Sequence, residues 1–339
     1  MGDTVTAALR VGVVGAGAMG ADHVRTLTTA VPGTAVTRVY DRDTARAEQL
    51  AQPAGGEVAA SAEELIGSDE VDAVIIASPD MTHADLAVAC ISAGKPVLCE
   101  KPLAVTAQDA LRVVEAEVAG GRRLVQVGFM RRYDPGYARL KETVTSGVLG
   151  DVRVVHNVHR NASSATSATG PGIITGSMIH ELDTVAWLLD DEIVGIRVES
   201  PVRDGLPDPQ LATLEMAGGA LATVEVFVNA GYGYDVRCEV VGTTGTASLV
   251  PTPAVSTRIA GVEGVEVARD FVVHFADAYR HELAAWARAA CAGGVDGPTA
   301  WDGYLANVVA EAGVAALLGG SRQAVVSATR PDLYARGER

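Results

Sequence analysis

The stretch Val11-Gly12-Val13-Val14-Gly15-Ala16-Gly17-Ala18-Met19-Gly20 sets three glycines in the spacing G-x-G-x-x-G directly behind an apolar run. Each glycine has a mechanical reading. Gly15 permits a tight turn, Gly17 lets the main chain approach a pyrophosphate, and Gly20 lets the following helix pack closely on the strand. The helix N-terminus favours the phosphate charge. Gly15, Gly17, Ala18, Met19 and Gly20 are therefore the expected phosphate contacts. A second apolar strand ends at Tyr40 and is followed by Asp41, whose carboxylate can accept hydrogen bonds from both adenosine ribose hydroxyls and would repel a 2′-phosphate. The expected cofactor is NAD rather than NADP, with Arg42 next in the chain able to soften that repulsion.

Outward from this turn, short β-branched runs alternate with amphipathic stretches of helical length, the pattern of successive βαβ units on a parallel sheet. Strands are predicted over Leu9 to Val14, Ala35 to Tyr40, Ala73 to Ala77, Pro96 to Cys99 and Arg123 to Gly128, with helices near Gly17 to Ala30, Thr44 to Leu50, Ser61 to Ile66, His83 to Ala93 and Ala107 to Ala119. After about Arg131 the rhythm changes to longer alternating strands, Val152 to Val158, Leu211 to Met216, Ala220 to Val228 and Val236 to Val241, which read as antiparallel. Helices are expected from about Ser177 to Leu189, Phe275 to Ala292 and Trp301 to Leu318. The Ser-, Thr- and Gly-rich segment Asn161 to Thr175, with Pro171, reads as a mobile loop beside the site. The fold class is α/β: a doubly wound parallel Rossmann sheet over residues 1–129, then an α+β domain over 130–339 with a large, mostly antiparallel open sheet.

A chain of 339 residues exceeds one ordinary hydrophobic core, so two domains are the default. The net charge of −15 repels phosphate backbones and anionic headgroups, which argues against nucleic-acid or membrane-surface partners. Arg131-Arg132 is the one conspicuous basic run near candidate chemistry, readable as a solvated pair on a turn or as part of a site. No apolar stretch is long enough to span a bilayer and the first residues lack a signal-peptide order, so a cytoplasmic location is expected. Cys90, Cys99, Cys238 and Cys291 have neither metal-like nor redox-like spacing and read as structural. The histidines show no paired ligand spacing on a helix face, so no metal is expected.

Cys99-Glu100-Lys101-Pro102-Leu103, after Ala77-Ser78-Pro79, resembles the Gfo/Idh/MocA oxidoreductases, in which the Glu-Lys-Pro motif carries an active-site lysine. The strings Val127 to Asp134, His159-Arg160-Asn161, His180-Glu181-Leu182-Asp183, Tyr232 to Asp235 and Gly297 to Tyr304 are similar to those of the inositol 2-dehydrogenases within that family. The resemblance implies NAD-linked oxidation of a cyclitol to a ketone, in a homotetramer built through the C-terminal sheets. It also adds Ser78, His83, Glu100 and Lys101 to the cofactor contacts.

Oxidising a secondary alcohol needs a base for the hydroxyl proton, one whose pKa lies near the operating pH. Lys101 follows a parallel strand at its carboxyl end, where doubly wound sheets bind ligands, and a desolvating or positively charged surround would lower its pKa. His180 and Asp183 lie at i, i+3 spacing and can share one helical face. The family pattern makes His180 a proton-transfer partner and Asp183 a polyol ligand. It adds Arg131, His159, Asn161 and Tyr234 to a ligand set that includes Lys101 and His180. One position departs: the family aspartate four residues before the histidine is replaced here by Gly176. A dehydrogenase of a related sugar or aminocyclitol, and a catalytically impaired NAD-binding regulatory protein, remain open beside the cyclitol dehydrogenase.

Overall fold

Runs such as Ala73-Val74-Ile75-Ile76 have no polar side to turn to water, so they are stable only as strands covered on both faces. The computed structural model describes residues 8–203, 205–250 and 255–335. It places six parallel strands in the first part of the chain: β1 (Leu9–Val14), β2 (Thr34–Tyr40), β3 (Glu57–Val58), β4 (Ala73–Ile76), β5 (Val97–Cys99) and β6 (Val125–Val127). Their order is β3-β2-β1-β4-β5-β6. The order reverses between β1 and β4, the point at which such sheets open a crevice for ligands. The expected strands agree with these to within two residues at each end. The two-residue β3 is too short to show a pattern.

The connecting helices are α1 (Ala18–Ala30), α2 (Thr44–Ala54), α3 (Ala62–Gly67), α4 (His83–Ser92) and α5 (Ala107–Gly120). Side chains of Asp43, Ser61 and Thr106 cap α2, α3 and α5, each occupying one of the N–H groups that a helix start leaves unpaired. α1 begins at Gly17 with no side-chain cap.

Among the described residues, two compact units form. The first contains residues 8–130, 279–307 and 328–335; the second contains 131–278 and 308–327. Leu283, Trp286, Ala287 and Ala290, from the helix Ala276–Cys291, pack in the same buried cluster as Val11, Val13, Val36, Val39 and Ile75 of the parallel sheet. Glu117 of α5, fully buried, accepts from the main-chain N–H groups of Leu124 and Val125 and from the Tyr334 hydroxyl. A late segment of chain is thus tied to the start of β6.

The second unit begins with α6 (Pro135–Thr145), which Asp134 caps and Pro135 starts. A seven-stranded sheet follows: β7 (Val152–Arg160), β8 (Ile193–Glu199), β9 (Gln210–Met216), β10 (Leu221–Phe227), β11 (Asp235–Gly242), β12 (Thr246–Ser248) and β13 (Gln323–Ala324), in the order β12-β11-β7-β10-β9-β8-β13. Every pair is antiparallel except β7 with β10. Along β9 buried Gln210, Ala212 and Leu214 alternate with exposed Leu211 and Thr213, so one face is turned to a core and the other is open.

One segment differs from expectation. Asn161 to Thr175 is irregular only to Thr169. Helix then runs from Gly170 to Ile173, through a π turn over Ile174–Met178, into α7 (Ile179–Leu189). Pro171 falls in the first turn, where no N–H is needed, and Thr169 caps the turn through Gly172 N–H. The proline that reads as a breaker is a starter, as Pro135 is for α6. Cys90, Cys99 and Cys238 are buried and Cys291 exposed, all as free thiols. Among the described residues no helix is long and apolar enough to cross a membrane. Because Trp286 is wholly enclosed in the first unit's core, Trp286→Ala should lower unfolding free energy by about 3–5 kcal/mol in urea titration; a loss under about 1 kcal/mol would show that the late helix does not hold that core.

Candidate active site

In the glycine turn the three residues are used differently. Gly15 has φ +102°, and a Cβ there would lie 2.4 Å from the Ala77 carbonyl oxygen. At Gly20 a Cβ would lie 1.9 Å from the Gly15 carbonyl oxygen, so any side chain would push α1 off the strand. At Gly17 a Cβ would meet nothing within 4 Å; the space beside it is open although the turn is tight. The turn is sewn into the sheet by Gly15 N–H to Tyr40 O (2.8 Å) and Ala77 N–H to Val14 O (2.8 Å). The Asp41 carboxylate accepts from Ala16 N–H (2.7 Å) and Asp43 N–H (2.9 Å), which orients it at the turn, and Arg42 beside it is exposed. An uncapped helix start, an open space at Gly17 and an oriented carboxylate together fit a dinucleotide whose pyrophosphate lies on the turn.

Ser78 and His83 follow β4. The Ser78 hydroxyl pairs with that of Thr82 (2.6 Å). The buried His83 ring lies with Nδ1 2.7 Å from the Pro102 carbonyl oxygen and Nε2 2.8 Å from that of Ser78. Both nitrogens are engaged by main chain, so His83 ties the segment after β4 to the residue following Lys101. Glu100 is buried, with Oε1 2.7 Å from His23 Nε2 and Oε2 3.3 Å from the Lys101 N–H. Burial raises the Glu100 carboxyl, but the His23 bond and the charges of His23, Lys101 and His83 outweigh it and hold the group below the ordinary value. Lys101, half-buried, follows β5, and its bond to Pro102 is cis. The first unit therefore brings the glycine turn, Asp41, Ser78, Glu100 and Lys101 to the carboxyl ends of β1, β2, β4 and β5.

In the second unit the residues expected to hold a polyol form a buried polar cluster. The Arg131 guanidinium, 1% exposed, donates to Glu181 Oε1 and lies between the rings of Tyr137 and Phe275, 5.9 and 5.5 Å from their centroids. His159 Nδ1 is 3.1 Å from Glu181 Oε2 and 3.3 Å from Arg131 Nη2, and its Nε2 is 3.4 Å from the Tyr234 hydroxyl. The His180 ring stands 6.4 Å from that of His159. Burial raises the Glu181 carboxyl, but Arg131 and His159 hold it below the ordinary value. Burial pushes the Tyr234 phenol up to about 12. Asp183, also buried, is gripped by Arg132 through two bonds, Nε to Oδ2 (3.0 Å) and Nη2 to Oδ1. Asn161 stands at the end of β7, its N–H donating to Phe227 O and its carbonyl accepting from Ala230 N–H; no contact to the cluster is formed by these bonds. A solvated Arg131-Arg132 pair is excluded, since both guanidiniums are paired with acids. Gly176 lies in the π turn, with open space where a Cβ would be.

Sequence reasoning assigned no role to Glu181 or His23, and left Arg132 open between a solvated pair and part of a site. A signal for Glu181 was present: it lies on a helix that also carries Ile179, Leu182, Val185 and Leu188, and a carboxylate buried among such residues needs a cation. No comparable signal marks His23, whose partner lies 77 residues away, and none in the Arg131-Arg132 run tells which acid Arg132 serves, 51 residues away.

The uncapped turn over a reversing parallel sheet, with a lysine after the fourth strand in sheet order from β2, defines a nicotinamide-dependent oxidoreductase. The family model described as "oxidoreductase family, NAD-binding Rossmann fold" matches residues 9–129, and the GFO/IDH/MocA C-terminal domain matches residues 137–248. The chain is 52% identical over 333 residues to inositol 2-dehydrogenase 1 of Saccharopolyspora erythraea, covering 96% of this chain and 99% of that protein. It is 45% identical to inositol 2-dehydrogenase of Paracoccus denitrificans, with 96% and 99% covered. The crystal structure of myo-inositol dehydrogenase from Lactobacillus casei in complex with NAD(H) and myo-inositol is similar with a TM-score of 0.93 and 34% identity, covering 97% of this chain and 100% of that one. The chain belongs to the Gfo/Idh/MocA oxidoreductase family, and its cofactor is NAD.

Because the space at Gly17 is open, Gly17→Val should fold with its melting temperature almost unchanged while weakening NADH at least about tenfold in a fluorescence titration, a cost of roughly 1.4 kcal/mol. Unaltered affinity would place the pyrophosphate elsewhere.

Proposed function

We propose that this protein oxidises a secondary hydroxyl of a cyclitol, myo-inositol or a close relative, to a ketone with NAD. What carries the reading is the likeness over 96% of the chain to proteins named inositol 2-dehydrogenases, joined to a buried donor and acceptor cluster suited to a ring of hydroxyls. Gly15, Gly17, Ala18, Met19, Gly20 and Asp41 would hold the cofactor, which when bound accepts the hydride from the alcohol carbon. Lys101 takes the hydroxyl proton and His180 shares in its transfer. His159, His180, Asn161, Asp183 and Tyr234 bind and orient the polyol. Arg131, enclosed and committed to Glu181, supports His159 from behind. In this reading the first unit binds NAD and the second binds substrate.

The second unit also builds a homotetramer, in our reading, through the open sheet face on which Leu211 and Leu221 are 54% and 45% exposed. Large apolar side chains exposed on an open sheet face favour association with a second copy. A monomer in native mass spectrometry would remove this assignment. A cytoplasmic location is consistent with the reading, and secretion of the natural protein would contradict it.

The position of Gly176 bears on the substrate. Without a carboxylate there, one charge-assisted bond to a substrate hydroxyl is missing, which costs about 1.5–3 kcal/mol, so turnover of myo-inositol is weak and a related sugar or aminocyclitol is turned over faster. Since a Cβ is accommodated, Gly176→Asp should fold and raise kcat/KM for myo-inositol roughly ten- to hundredfold; a wild type already fast and unmoved by the change removes the argument. Activity itself is tested with a panel of polyols, NAD and NADP, followed at NADH absorbance. Lys101→Met should lower kcat by about a hundredfold to ten-thousandfold while NADH still binds. No turnover of any polyol by the wild type would leave a regulatory NAD-binding protein as the better reading.

A further inference from the structure

His159 Nδ1 is approached by two groups that make opposite demands. Glu181 Oε2, at 3.1 Å, can only accept, and Arg131 Nη2, at 3.3 Å, can only donate. A neutral imidazole satisfies one of them. Three observations favour the carboxylate. It is the nearer group. Arg131 already has an acceptor in Glu181 Oε1, whereas Glu181 is fully buried with its Oε2 turned to His159. A ring lone pair aimed at a buried carboxylate oxygen would be repelled with little screening.

We propose that Glu181 is the positioning residue of this cluster: it holds the His159 proton on Nδ1 and so leaves Nε2 as an acceptor for a hydroxyl. In the structure that hydroxyl is Tyr234, whose oxygen lies 3.4 Å from Nε2 and is the donor in this arrangement. The direction of the chain is then fixed, Tyr234 to His159 to Glu181, with Arg131 balancing the carboxylate charge. This rests on the polyol reading for one further step. A ligand group meeting the His159 acceptor edge must bring a proton, so an alcohol oxygen is recognised there and a carbonyl, carboxylate or phosphate oxygen is not.

The test is the nitrogen spectrum of the full-length protein labelled with ¹⁵N-histidine and free of substrate, His159 being identified by its loss in His159→Gln. Nδ1 should appear as a protonated, pyrrole-type nitrogen and Nε2 as a pyridine-type one; the reverse assignment overturns the proposal whatever the enzyme acts on. Glu181→Gln, which can turn its amide N–H₂ to the ring and its oxygen to Arg131, should move the proton to Nε2. If the variant folds and the proton stays on Nδ1, Glu181 is not what holds it. Should Glu181→Gln fail to fold, the wild-type spectrum alone decides. In an active enzyme Glu181→Gln should raise KM for the polyol roughly tenfold or more, with a smaller change in kcat and with NADH affinity kept. A correct wild-type tautomer in a protein inactive on every polyol would sink the substrate reading and leave the role of Glu181 standing.

Discussion

The structure depends first on how closely α1 can approach the end of β1. Gly20 faces the Gly15 carbonyl at a distance no side chain could share, and Gly15 itself is pressed against Ala77 at the end of β4. That contact fixes where the helix starts, and the start has no side-chain cap. The N–H groups that every helix leaves unpaired are thus presented to whatever occupies the space beside Gly17. Asp41, anchored by Ala16 N–H, places a negative charge at the far edge of the turn. A ligand that is anionic in its middle and carries a diol at one end satisfies both demands, which is the chemistry of NAD.

Buried acids organise much of what remains. Glu117 joins the chain's late segment to β6, Glu100 pairs with His23 beside Lys101, and Glu181 pairs with Arg131 and His159. Removing one partner from such a pair is costly because an uncompensated charge is left behind, so each acid constrains its neighbours strongly. Glu100 and Glu181 stay below the ordinary carboxyl value in spite of burial. Glu117, whose bonds described above come from two main-chain N–H groups and the Tyr334 hydroxyl, is pushed up by burial.

The parallel sheet was legible because its signals are local. A strand such as Ala73–Ile76 is recognisable from its own residues, and the turn from ten consecutive positions. Pro171 misled because a proline means opposite things in the first turn of a helix and in its interior. The packing of Leu283 and Trp286 on β1 and β2 was not legible, since periodicity reports that a helix has an apolar face but not what covers it. At the site, Lys101, His159, His180 and Tyr234 were readable as residue types in recognisable strings. Their partners were not: Arg131 and Arg132 look alike in the chain, yet one serves Glu181 and the other Asp183, a choice made by the path of the backbone.

A crystal structure of the protein grown with NAD tests the central claim most directly. Density for the pyrophosphate is expected on the N–H groups of Ala18 and Met19, with the adenosine ribose bonded to Asp41 and the nicotinamide ring facing the Lys101 amine. A dinucleotide absent from the glycine turn, or one whose ring lies far from that amine, would contradict it.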